Sequence, residues 1–158
     1  MEPNIGISSQ NRNKVIDMLV RLVSDEYILY TKTRNYHWNV TGPQFHDLHK
    51  FFESQYEELD TVIDDVAERI RELGEKSIAT LAEFIKNGRI KEEPNKYPDA
   101  KTMLSNLLHD HESVIRNLRS DVDACVKHHD TGTADFVTGL MEQHEKMAWM
   151  LRAFLENK

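Results

Sequence analysis

Apolar residues recur at steps of three and four in four long stretches, the spacing of amphipathic helices. The first stretch carries Val15, Leu19, Leu22, Glu26, Leu29, Thr33 and His37 on one seam. Ser8, Ser9 or Asn11 is placed to cap it, and it should end near Asn39, ahead of Gly42 and Pro43. The second is expected from Pro43 to Leu73, with Phe45, Leu48, Phe52, Tyr56, Leu59, Ile63, Val66, Ile70 and Leu73 as its seam and Gly74 closing it. Residues 74–98 form a long connection in which Ser77 should cap a short helix stopped at Asn87-Gly88, while Pro94 and Pro98 forbid a continuous one. Asp99 should open the third long helix, whose seam includes Leu104, Leu107, Leu108, His111, Ile115, Leu118, Val122 and Cys125. After a turn over His128 to Thr133, with Thr133 as cap, the last seam runs through Val137, Leu140, Met141, His144, Met147, Leu151 and Phe154. The pattern predicts an all-α four-helix bundle with one long crossover, a single domain over residues 1–158, and a mobile tail over residues 1–8.

A second stripe runs along the second helix beside its seam. His49, Glu53, Asp64 and Glu68 are separated by steps of 4, 11 and 4, which confines them to a band roughly 100° wide. That band lies about 110° around the helix from the seam, so these groups do not point into the bundle. His37, at the end of the first helix, adds a second imidazole. Imidazole and carboxylate on one face form a ligand set for Fe, Mn or Zn. A solvated polar face is the plain alternative, and the two histidines weigh against it. The His49/Glu53 pair lies roughly 22 Å along the helix from the Asp64/Glu68 pair, so one ion cannot reach both in one chain. Two separate half-sites, or an antiparallel second copy of the helix, are the solutions; a twofold axis near Tyr56 to Leu59 would set His49/Glu53 of one chain against Asp64/Glu68 of another. None of the eight histidines has a glutamate three residues before it, which argues against the Glu-x-x-His di-iron centre of bundle interiors. The His109-Asp110-His111-Glu112 cluster is set aside: His111 falls on the core seam and His109 is expected in solvent.

Composition narrows the function. The net charge of −7 over 158 residues opposes strong nonspecific DNA binding, which relies on neutralising phosphates, and favours attraction of cations. Residues 1–14 hold only Arg12 and Lys14 as basic groups, so DNA binding is expected to be weak or absent. No apolar stretch is long enough for a membrane span. The N-terminus shows neither a basic region nor an apolar core of a signal peptide, and the expected location is cytoplasmic. The single Cys125 allows no intrachain disulfide and is expected as a small buried hydrophobe.

The segment from Tyr36 to Gly74 resembles the signature of the Dps family, the ferritin-like mini-ferritins known as DNA-binding proteins from starved cells. The matching residues are His37-Trp38-Asn39, Gly42, Phe45, His49, Phe52-Glu53, Tyr56, Asp64, Glu68-Arg69 and Gly74, and the likeness extends through Asp110-His111-Glu112 to Trp149-Met150-Leu151-Arg152-Ala153. The resemblance implies a ferritin-like bundle with a small helix in the connection between the second and third long helices. It implies a hollow homododecamer with ferroxidase sites at twofold dimer interfaces, His37, His49 and Glu53 from one chain and Asp64 and Glu68 from its partner. The family often has Asp where this chain has Glu53. The resemblance further implies oxidation of Fe(II) to Fe(III) by hydrogen peroxide or oxygen, mineralisation in the cavity, and electron donation by Trp38. Acidic threefold pores near the start of the last helix would place Asp130 and Asp135, and less strongly Asp123, on an entry route, with helix capping as the competing role. Alternatives are a nucleoid-binding protein, a helical protein with a relic site, and a cage for another divalent metal.

Overall fold

Capping chemistry sets where the helices begin, as seen in a computed structural model that describes residues 2–156. Five helices follow in order: α1 (Ser9–Asn39), α2 (Phe45–Glu72), α3 (Leu81–Asn87), α4 (Ala100–Lys127) and α5 (Thr131–Leu155). Ser8 caps α1 by accepting from the Asn11 amide, and Asp99 caps α4 by accepting from the Thr102 amide at 2.8 Å. Three starts differ from the sequence expectation. Helix α2 begins at Phe45 rather than Pro43, because Gly42, at φ 114°, and Pro43 are used in a turn closed by the Phe45 amide on the Gly42 carbonyl. Helix α3 is capped by Thr80, not Ser77: Thr80 and Glu83 form a reciprocal capping box. Helix α5 is capped by Asp130, not Thr133, whose amide and hydroxyl instead donate to Asp130 at 2.9 and 2.6 Å.

The helix ends are equally specific. After α2, the Glu75 amide reaches the Ile70 carbonyl and the Gly74 amide the Arg71 carbonyl, a Schellman ending with Gly74 at φ 95°. A Cβ on Gly74 would lie 2.6 Å from the Pro3 ring, so glycine is required there for space as well as conformation. The same contact shows that residues 2–7, expected to be mobile, have defined partners: Arg12 bonds Glu2 at 2.8 Å and the Pro3 carbonyl at 3.3 Å. Helix α4 ends in a second Schellman turn with His129 at φ 61° in the position glycine usually takes.

Helices α1 and α2 form one antiparallel hairpin and α4 and α5 the other; the two pack into a four-helix bundle with α3 against α1. The long crossover is pinned by charge. Asp25, fully buried on α1, accepts from the Arg89 and Ile90 amides and from Arg89 Nε at 2.6 Å, and Lys32 pairs with Asp110 at 2.6 Å. The apolar interior includes Leu19, Leu22, Leu29, Leu48, Phe52, Leu59, Leu107 and Leu118, with Cys125 buried and its thiol pushed up to about 12 by burial and by neighbouring Asp130 and Asp121.

One polar cluster interrupts that interior. Glu26, His111 and His144, all on the core seams, are fully buried. Glu26 Oε1 lies 3.0 Å from His144 Nε2, and His144 Nδ1 lies 3.0 Å from His111 Nδ1. Among the described residues no Lys or Arg pairs with Glu26, whereas Asp25, Asp110 and Asp130 each have one. Burial first, and the charge on His144 second, hold the His111 pKa well below the ordinary imidazole range. The unfolded chain therefore binds a proton at His111 below about pH 6.5 that the folded chain refuses. The contribution is complete above that pH and is lost as pH falls, by at most about 1.4 kcal/mol per pH unit for one proton. The melting temperature should drop between pH 7.5 and pH 5, and His111→Gln should flatten the drop; identical slopes would remove His111 as the cause.

Candidate metal centre

His37 and His49 are brought together by the tight turn between α1 and α2. His37 Nδ1 is 2.7 Å from the His49 carbonyl oxygen, and His49 Nδ1 is 2.9 Å from the His37 carbonyl oxygen. A carbonyl only accepts, so both Nδ1 atoms carry the proton and both Nε2 lone pairs are free, the state a metal ligand needs. The His37 carbonyl belongs to the last turn of α1, where no intrahelical donor remains, and the His49 ring fills that vacancy. The two imidazoles stack with centroids 3.8 Å apart. Glu53 follows one turn after His49, and Lys50 donates to it at 2.7 Å, holding its carboxyl below the usual range with a smaller contribution from His37 and His49. The imidazoles and Glu53 thus occupy one neighbourhood.

Asp64 and Glu68 are exposed on the same helix and are not brought to the histidines within one chain. Among the described residues no group of three or more His, Cys, Asp or Glu side chains is arranged to hold a metal ion. The burial pattern of α2 explains what the ligand band faces. The buried side includes Phe51, Gln55 and Val62 together with Leu48, Phe52, Leu59, Val66 and Ile70, while Phe45 is exposed and Tyr56 and Ile63 are only half-buried. The core face is therefore rotated further from the ligand band than the seam predicts, and an apolar strip lies between them. Phe45 stacks on His49 at 5.2 Å, Tyr56 meets His37 edge-on at 5.2 Å, and Trp38 is 64% exposed with the Arg34 guanidinium 5.2 Å from its ring.

The three aspartates read as pore candidates differ. Asp130 is 1% exposed, and its oxygens are taken by Thr133 and by Arg69 at 3.4 Å, so its role in this chain is the cap of α5. Asp123 and Asp135 are exposed. Sequence reading did not single out Arg34 or the polar triad Glu26–His144–His111. The signal for the triad was present, since all three fall on core seams.

These features are those of a ferritin-like protein, and residues 16–158 match the family described as Ferritin-like domain. The chain is 47% identical over 156 residues to the "uncharacterized low temperature-induced protein all0458" of Nostoc sp., covering 98% of this chain and 87% of that protein. It is 39% identical to "DNA protection during starvation protein 2" of Bacillus anthracis over 90% of this chain and 97% of that one. The crystal structure of a Dps protein from Bacillus brevis superposes with a TM-score of 0.90 at 36% identity, over 95% of this chain and all of that chain. The chain belongs to the Dps family.

The cap assignment has a direct consequence. Asp130→Ala removes the cap of α5 and a partner of Arg69, and should cost about 1–2 kcal/mol. Asp135→Asn, at an exposed position, should change stability by less than about 0.5 kcal/mol. Chemical denaturation of both variants checks this; an Asp130→Ala protein as stable as the parent would refute the cap.

Proposed function

We propose that this protein is an iron-oxidising mini-ferritin whose ferroxidase sites are shared between two chains. Fe(II) is the substrate and Fe(III) the product, stored as mineral in a hollow homododecamer. The observation that carries the reading is the reciprocal imidazole–carbonyl clasp, which leaves two Nε2 lone pairs free on a surface without enough ligands of its own. His37, His49 and Glu53 of one chain would meet the partner subunit's Asp64 and Glu68 across a twofold axis, giving two sites per dimer. Imidazole suits the ferrous substrate and carboxylate the harder ferric product. The free Nε2 atoms bind, the carbonyl-bonded Nδ1–H groups fix the ring planes, and the exposed apolar strip of Phe45 and Trp38 would exclude water once covered by the partner.

Hydrogen peroxide balances this chemistry: two ferrous ions reduce one peroxide to two hydroxides without releasing a radical, which would protect the cell. Oxygen is the alternative oxidant, and Mn or Zn are alternative cargoes for the same donor set. The acidic charge and the absence of a lysine-rich stretch near the N-terminus support storage over DNA compaction. Among the described residues no helix is long and apolar enough to cross a membrane, and a cytoplasmic location fits this role. Asp135, and less strongly Asp123, would line the cation entry, with Asp130 shaping it as the cap.

Mixing separates a shared site from a single-chain one. His49→Ala and Asp64→Ala should each abolish ferrous oxidation. Cages reassembled from equal amounts of both should recover about a quarter of wild-type activity, because half of the dimers are mixed and each mixed dimer keeps one intact site. Well-folded mixed cages without recovered activity would overturn the shared site.

A further inference from the structure

Three tyrosines form a continuous chain of ring contacts leading away from His37. The edge-on contact of Tyr56 with the His37 imidazole is followed by Tyr30 at 6.1 Å and Tyr27 at 5.8 Å between centroids, and Tyr27 stacks on Phe84 at 4.4 Å. Tyr27, Tyr30, Arg34 and His37 are spaced 3, 4 and 3 along α1, one helical stripe, and Tyr56 reaches them from α2. All three phenols are half-buried. Phenylalanine is far harder to oxidise than tyrosine, so the redox-active chain ends at Tyr27.

Arg34 sits at the centre of this cluster. Its guanidinium carbon lies 4.6 Å from the Tyr56 ring, 5.2 Å from Trp38 and 5.5 Å from Tyr30, and Nη1 donates to the Tyr30 hydroxyl at 2.7 Å. A permanent cation opposes creating a second positive charge beside it. The first oxidised form of an indole is a radical cation, which Arg34 disfavours at Trp38. A phenol loses its proton with its electron and stays neutral, so the same cation leaves tyrosine oxidation nearly unopposed. Trp38 also has no ring contact with His37 or with any of the three tyrosines among those found, whereas Tyr56 touches the His37 ring.

We propose that Tyr56, Tyr30 and Tyr27 form a relay that supplies the missing electron when peroxide meets a half-filled site, with Arg34 steering oxidation to the phenols and away from Trp38. This rests on the ferroxidase reading. One ferrous ion reduces peroxide by one electron, giving Fe(III), hydroxide and hydroxyl radical. Tyr56 gives that radical a hydrogen atom, forming water and a neutral tyrosyl radical. The radical passes to Tyr30 and then Tyr27 as each phenol returns an electron and a proton to the one before. A further ferrous ion and a solvent proton restore the last tyrosine, yielding a second Fe(III).

The assembled protein, loaded with less than one ferrous ion per site and mixed with hydrogen peroxide, is freeze-quenched for electron paramagnetic resonance, with ferric absorbance read on the same samples. The wild type should give an organic radical whose hyperfine pattern collapses with ring-deuterated tyrosine and not with deuterated tryptophan. Tyr56→Phe should lose most of that signal and release several-fold more spin-trapped hydroxyl radical, with ferric yield at full iron loading unchanged. Tyr30→Phe should keep a radical confined to Tyr56, and Arg34→Gln should move part of the signal to tryptophan. Ferric product with an unchanged radical in Tyr56→Phe, or a tryptophan radical in the wild type, overturns the relay alone. No ferric product in the wild type overturns the ferroxidase reading and the relay with it.

Discussion

Each of two imidazoles gives its Nδ1 proton to the other's backbone carbonyl, and the functional end of the molecule depends on that exchange. It closes the α1–α2 turn, satisfies a carbonyl that the end of α1 leaves open, and fixes both tautomers at once. The same two bonds leave the Nε2 atoms as the free donors on the ligand band. Structure and chemistry are thus served by opposite nitrogens of the same rings, and neither ring can turn over without breaking the turn.

The geometry of α2 decides the rest. A straight helix of 28 residues cannot fold its two ends toward one another, so the carboxylates of Asp64 and Glu68 stay distant from the imidazoles of their own chain. The core of the bundle takes the opposite side of α2. What remains between core and ligand band is a strip of Phe45, Tyr56 and Ile63 that is too apolar for a solvated face and incompletely covered within one chain. Apolar cover beside an incomplete ligand set is what a shared interface requires.

Much of this was legible in the sequence because it follows from periodicity. The four long helices, the caps Ser8 and Asp99, the C′ glycine Gly74 and the position of the ligand band off the core seam all come from spacing and residue type. The misplaced boundaries fall where several candidate caps stand close together: Thr80 displaces Ser77 because Glu83 completes a capping box, and Asp130 displaces Thr133 because its carboxylate also meets Arg69. The defined contacts of residues 2–7 were hidden because they depend on Pro3 meeting Gly74, a distant pair that no local pattern encodes. The His37–His49 clasp was invisible for the same reason, since spacing brings the residues near but does not say which nitrogen meets which carbonyl.

The central claim is that iron binds between chains and not within one. Crystals of the assembled protein, soaked in ferrous iron without oxidant and measured with anomalous diffraction at the iron edge, test it most directly. The account predicts iron roughly 2 Å from Nε2 of His37 or His49 and from the partner subunit's Asp64 or Glu68. Iron bound wholly inside one chain, at the buried Glu26–His144 pair for instance, with the interface empty, would contradict it.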